Sequence, residues 1–307
     1  MRYSLLLFFC LQTLTFKAQD VLSEKNYKLY SVQRQQVVPV DTLIEDMKDA
    51  EVLFFGEEHN DSVTHYMEKQ IFSLLFQRYG ERVALSLEMF DRDVQTVMDE
   101  YLDGMIREKN FTKDARVWSN YRDYRPMVEW AREHHLNVVC ANAPTRYTNL
   151  AGRKGQEALL DLSPDALQWI APLPYDTATG AYYEKLTGMM GGHSSNKDTA
   201  NKVPVMNMPA FHLVTAQSLW DATMAWSINQ YLRSHRKALV MQVNGKFHSD
   251  EGFAVVSQLE QYRPGTRYLI LSSASDEKFP DIHWADYSAN GDYILITDPA
   301  VPKTYKD

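Results

Sequence analysis

The stretch Val52-Leu53-Phe54-Phe55-Gly56-Glu57-Glu58-His59 decides the fold. It opens with a short, unbroken apolar run, which fits a strand covered on both faces. Such strands are the signature of a parallel sheet with helices above and below. Gly56 lets the backbone turn sharply, and two carboxylates and an imidazole follow at once. In open parallel sheets ligands sit beyond the carboxyl ends of the strands, so the same eight residues point to a fold and to a site.

Working outward, residues 64–79 carry Tyr66, Ile71, Leu74 and Leu75 at helical spacing, and Gly80 closes the segment as a C-terminal glycine does. Val83-Ala84-Leu85-Ser86-Leu87 is a second apolar run, which makes the whole a βαβ unit. Helices are expected over residues 92–108 and 126–135, the latter with Pro126 as its first residue. Further strands are expected at residues 137–141, 238–243, 267–271 and 293–296. Residues 150–208 break the rhythm. They are rich in Gly, Met, Pro, Asn and Tyr, and read as an inserted helical lobe, because a structureless loop of that length is uncommon inside a compact domain. A long helix follows over about residues 209–235, opened by Pro209 with Asn207 as its cap. The expected fold is α/β, a central mostly parallel sheet flanked by helices with that inserted lobe.

The chain has 307 residues, of which 45% are hydrophobic and 23% charged, with a net charge of −8. These are globular values and exclude wholesale disorder. An acidic balance argues against nucleic acid as the main partner, since backbone binding needs a Lys/Arg surplus. Residues 1–18 read as an export signal: Arg2, the apolar run of residues 5–11, and a cleavage point after Ala18. Their removal takes away Arg2 and Lys17, moves the charge from −8 to −10, and leaves residues 19–307 as one domain. Phe9 before Cys10 is too large for a lipid-attachment box, which disfavours a lipoprotein. The mature chain keeps only Cys140, so it has no internal disulfide, and no second apolar run reaches transmembrane length. The expected location is exported, periplasmic or membrane-associated.

Three polar clusters fall at strand ends: Glu57 to His59, Glu88, and Gly245-Lys246-Phe247-His248. A carboxylate closing a buried strand is costly unless it has a partner. The two Gly-x-x-His turns are alike in spacing and in position after a strand. If their strands are neighbours, His59 and His248 converge with Glu57 and Glu88 beside them. Two imidazoles and two carboxylates can bind a divalent metal, or run acid–base chemistry without one. The plainer alternative is that each His caps a turn and each Glu pairs with an arginine such as Arg92, Arg122 or Arg125.

These residues also resemble a known family. The Gly-Glu-Glu-His turn, the Leu87-Glu88-Met89-Phe90 strand end and the late Gly-x-x-His turn look like those of the ChaN-type haem-binding uptake proteins, within the Tiki/TraB and erythromycin-esterase-like superfamily. Trp118-Ser119-Asn120-Tyr121 and Ala216-Gln217-Ser218-Leu219-Trp220-Asp221, with Met224-Ala225, add to the resemblance, which spans roughly residues 38–298. Lys246-Phe247 departs from the small or polar residues that relatives carry before this His. The resemblance implies a cell-envelope location, haem or haem-iron binding, and a polar site at Glu57, His59, Glu88 and His248. Gln217 and Asp221 share a helix face and could reach that site. For haem contact the insertion and the helix after it supply Tyr182, Tyr183, Met189, Met190, His193, Met206, Met208 and His212. A flexible apolar lid or a dimer surface is the other reading of that segment. Two functions stay open: an exported haem-binding protein of an uptake system, with a homodimer as one assembly that would hold the haem, or a hydrolase in which Glu57, His59, Glu88 and His248 activate water with or without a metal.

Overall fold

The computed structural model describes residues 22–192 and 210–305. One sheet contains β1 (Tyr27–Ser31), β2 (Gln36–Val37), β3 (Val52–Glu57), β4 (Val83–Asp91), β5 (Val138–Asn142), β6 (Leu239–Gly245), β7 (Tyr268–Ser275) and β8 (Tyr293–Thr297). Their order is β2-β1-β8-β7-β3-β6-β4-β5. The six strands from β8 to β5 run parallel, and β1 adds to β8 antiparallel, as does β2 to β1. The α/β fold with a mostly parallel central sheet is the one the apolar runs predict.

Helices α1 (Val40–Asp46), α2 (Ser62–Tyr79), α3 (Gln95–Leu102), α4 (Glu108–Asp114) and α5 (Tyr121–Glu133) lie before β5. Between β5 and β6 come α6 (Thr145–Lys154), α7 (Pro164–Leu167), α8 (Gly180–Gly192) and α9 (Ala210–Ser234), and α10 (Val255–Tyr262) precedes β7. Successive strand residues face opposite ways, so one strand feeds two cores. Leu53 and Phe55 join Leu85, Leu87, Met241 and Val243 against Ile71, Phe72 and Leu75 of α2 and Met127 and Val128 of α5. Val52, Phe54 and Val240 point the other way, onto Met224 and Ile228 of α9 and Val255 and Leu259 of α10. This two-sided cover is why the strands read as continuous apolar runs.

Four details differ from the sequence expectation. Residues 92–108 are not one helix: a 3-10 turn at Arg92–Val94 leads into α3, which ends at Leu102, and Gly104 at φ 72° breaks the path before α4. Pro126 does not open its helix but lies inside α5. The carbonyl that its missing N–H leaves unpaired belongs to Arg122, an exposed residue, where water can serve it. Strands β1 and β2 were not expected. They form the sheet's edge, so only alternate residues of β1 are buried and no continuous apolar run marks them. Glu88 lies within β4, which continues to Asp91, rather than at its end. The proposed cap and first residue of the long helix, Asn207 and Pro209, lie outside the described residues.

Candidate functional site

Strand order places the chemistry. β3 and β6 are parallel neighbours with Glu57 opposite Gly245, so the two Gly-x-x-His turns leave the sheet side by side. β4 flanks β6, and their pairing stops at Leu87 opposite Val243. Glu88 is the next residue, and its Oε2 accepts the Gly245 N–H at 2.7 Å. All three polar clusters therefore meet on one rim, two at the carboxyl ends of β3 and β6 and Glu88 within β4, just past the point where its pairing with β6 stops. Both glycines are required by close approach. A Cβ on Gly56 would stand 2.9 Å from the Lys246 Cα, and one on Gly245 would stand 2.8 Å from His59 Nε2.

His248 is buried among acceptors. Its Nδ1 donates to Asp221 Oδ1 at 2.5 Å, and its Nε2 lies 3.5 Å from Glu88 Oε1. The Gln217 carboxamide nitrogen rests 3.2 Å from Nε2. The other Asp221 oxygen accepts the Tyr182 hydroxyl at 2.6 Å, which ties α8 to α9. Burial pulls the His248 pKa down, but the charges of Glu88 and Asp221 outweigh this and raise it to about 10. Burial pushes Glu88 up, but the charge of His248, then that of His59, with the Gly245 amide, hold it down at about 2. His248 is thus an imidazolium clamped between two carboxylates.

His59 is partly exposed, and its Nδ1 meets Glu57 Oε1 at 2.9 Å. The Tyr124 hydroxyl donates to the same oxygen at 2.9 Å. Burial lowers the His59 pKa, and the charge and hydrogen bond of Glu57, with the charge of Glu88, more than reverse that. Trp118 packs edge-on against the ring, with centroids 5.4 Å apart. Asn120 Nδ2 donates to the His59 carbonyl at 3.4 Å, so the Trp-Ser-Asn-Tyr segment braces this histidine.

Beneath His59 lies a second polar layer. His65 and Glu68, one helical turn apart on α2, are buried against Glu57. His65 Nδ1 is 3.1 Å from Glu68 Oε2 and 3.3 Å from Glu57 Oε2, and its Nε2 donates to the His59 carbonyl at 3.0 Å. Burial lowers the His65 pKa, yet the charge of Glu68 and then that of Glu57 carry it to about 10. Burial, and next the charge of Glu57, push Glu68 well above the carboxylate range. Among the described residues, Glu57, His65 and Glu68 are the group whose metal-ligand atoms all lie within 4.8 Å of one another. The four residues singled out from the sequence do meet at one rim, but they divide into a Glu57–His59 pair and a Glu88–His248 pair.

Above these pairs opens a cavity of about 660 Å³. That lies within the roughly 300–1,000 Å³ of small-molecule and cofactor sites. Leu186, Leu213 and Phe247 give it apolar walls, His59, Gln217 and His248 line its floor, and Glu57, Glu58, Asn60, Gly245, Lys246, Lys303 and Tyr305 complete the lining. The tail after β8 reaches it because Lys303 Nζ donates to Asp61 at 3.0 Å and Thr304 N–H to the Asn60 carbonyl at 2.9 Å. Asp61 also caps α2, accepting from Val63 and Thr64 N–H at 2.9 and 2.8 Å.

Residues 43–259 match the family described as "Haem-binding uptake, Tiki superfamily, ChaN". The chain belongs to the ChaN family. Among solved structures, ChaN of Campylobacter jejuni, described for its cofacial heme binding, has this fold. The TM-score is 0.66 at 15% identity, covering 90% of this chain and 98% of that one. The type III effector HopBA1 (TM-score 0.46, 12% identity, 85% and 93% covered) and an erythromycin esterase EreC mutant in its open conformation (0.46, 10%, 89% and 83%) also match. No curated protein matches the chain.

The other expected residues scatter. Gln217 and Asp221 reach the site as their helix face predicts. Tyr182 is buried with its hydroxyl on Asp221, whereas Tyr183 of the same helix is 37% exposed. His193, Met206 and Met208, and the side chains of Met189, Met190 and His212, lie outside the described residues. The arginine pairing does not occur: Arg92 donates to Ser227, Arg125 to Glu108, and Arg122 to the Thr304 carbonyl. Sequence reading missed His65, Glu68, Tyr124, Lys303 and Tyr305. Only the first two left a trace, an i,i+3 pair of titratable residues inside the predicted helix.

Proposed function

We propose that this chain is exported through residues 1–18, leaving residues 19–307 as one domain in the periplasm or at the membrane, and that it binds haem in the cavity for haem-iron uptake or handling. The observation that carries this reading is the lining itself: apolar walls with two lysines and three side chains able to ligate iron. Haem supplies a flat apolar ring, two anionic propionates and an iron that takes His or Tyr oxygen and nitrogen donors. Leu186, Leu213 and Phe247 would hold the ring, and Lys246 and Lys303 the propionates. His59, His248 and Tyr305 are the groups in the lining with iron-binding chemistry, and His248 is already clamped by Asp221 and Glu88. Lys246 is already bonded to Glu58 at 2.7 Å, so haem would share or displace that partner. The cofacial haem of the Campylobacter jejuni protein makes a homodimer with two facing haems the assembly to test. Among the described residues no helix is long and apolar enough to cross a membrane.

The test is a haemin titration of the purified chain, followed by its Soret band, with size-exclusion chromatography of the loaded protein. A saturable shift near one haem per chain is expected. Leu213→Asp should weaken it at least tenfold without moving the urea midpoint. Loss of the shifted band in either His59→Gln or Tyr305→Phe identifies the iron ligand. No saturable shift, or a Leu213→Asp variant that binds like the unaltered chain, defeats the reading.

A further inference from the structure

The buried layer below the cavity is unexplained by haem. Glu57, His65 and Glu68 are each nine-tenths or more buried; among the described residues Glu68 Oε1 finds no hydrogen-bond partner outside this cluster, and Glu57 Oε2 faces His65 Nδ1 at 3.3 Å. Two acidic groups buried beside one imidazole need compensation, which protons on His65 and Glu68 supply and a divalent ion would supply in their place. We propose that Glu57, His65 and Glu68 form a site for a divalent transition-metal ion beneath the haem cavity, sharing Glu57 with its lining.

Three features support the assignment. First, the donors are already spaced for it. Metal–ligand bonds of about 2.0–2.2 Å put neighbouring ligand atoms about 3.0–3.5 Å apart. His65 Nδ1 lies 3.1 Å from Glu68 Oε2 and 3.3 Å from Glu57 Oε2. Second, the surrounding bonds orient them. His65 Nε2–H is held by the His59 carbonyl, which turns Nδ1 toward the carboxylates, where a metal would displace its proton, the usual orientation of a ligating histidine. Glu57 Oε1 is taken by the Tyr124 hydroxyl and by His59, which leaves Oε2 for the metal. Third, one nitrogen and two carboxylates without a thiolate suit Zn²⁺, Mn²⁺ or Fe²⁺. Glu57 lines the cavity as well, so the two sites adjoin.

The experiment uses the full chain free of haem, stripped with a chelator, then incubated separately with Zn²⁺ and Mn²⁺. Retained metal is counted by mass spectrometry after desalting, and affinity is measured by calorimetry. About one equivalent is expected in the unaltered chain. Glu68→Gln, which keeps the shape and removes the charge, should lose at least about tenfold in affinity. Glu45→Gln, the same substitution at an exposed carboxylate paired with Arg78 and outside the cavity lining, should retain the metal. No retained metal in the unaltered chain overturns the proposal and leaves a proton on His65 as the occupant. So does equal retention in Glu68→Gln. Because no haem is present, these outcomes are independent of the haemin titration.

Discussion

Asp221 is the residue whose loss should cost most among those at the site. It accepts the His248 Nδ1–H at 2.5 Å and the Tyr182 hydroxyl at 2.6 Å, and it is 1% exposed. Hydrogen bonds to a charged group contribute about 1.5–3 kcal/mol each. Asp221→Ala removes both bonds and leaves the Tyr182 hydroxyl buried without a partner. The expected loss is about 3–5 kcal/mol, the range for breaking a buried ion pair. The carboxylate's own relieved desolvation keeps it from reaching the full sum. Asp221→Asn keeps one oxygen for His248 and offers its amide to the Tyr182 oxygen, so only the charge is lost and about 1–2 kcal/mol is expected. Urea unfolding at pH 6 measures both. A double-mutant cycle with Tyr182→Phe should show a coupling of about 1 kcal/mol, since the two groups touch. Limited proteolysis should also reach α8 faster in both variants, because Tyr182 tethers that helix to α9. An Asp221→Ala variant within about 0.5 kcal/mol of the unaltered chain would refute this account of the site.

Two further outcomes follow from the same geometry. His248 is raised to about 10 and Glu88 lowered to about 2, so their mutual stabilisation is fully present between the unfolded values of about 4.5 for Glu and 6.5 for His. It is lost as pH falls through about 2 and as pH rises through about 10. The stability difference between the unaltered chain and His248→Gln, read from urea midpoints, should therefore peak near pH 5–6 and shrink on both sides; a flat difference from pH 5 to 9 contradicts the ion pair. Gly56→Ala would set a Cβ 2.9 Å from the Lys246 Cα, a backbone atom that cannot swing aside. About 1–3 kcal/mol of destabilisation is expected from this overpacking, and an unchanged urea midpoint would show that the β3 and β6 turns are looser than described.

What was legible beforehand follows from burial. β3, β4, β6 and β7 are covered on both faces, and that leaves a local signature in every residue of the run. β1 lies next to the edge strand β2, with Leu29 and Ser31 buried and their neighbours partly exposed, so it left no such signature. Pro126 misled for a related reason, since proline inside a helix is tolerable only where the freed carbonyl meets water, and exposure belongs to the packed state.

The sequence by itself determined the alternating strands and helices, the two Gly-x-x-His turns, and the polar residues that follow the strands, because period and turn chemistry are properties of neighbouring residues. Strand order was decided only in three dimensions. Placing β6 between β3 and β4 brought Glu88 onto the Gly245 amide and split the expected quartet into two pairs. The buried face of α2 was likewise settled by packing, and with it the gathering of His65 and Glu68 on Glu57. Lys303 and Tyr305 arrive at the cavity from more than 200 residues away along the chain, held by Asp61 and Asn60. No local pattern encodes such a meeting, since its free energy comes from contacts that exist only once the chain has closed on itself.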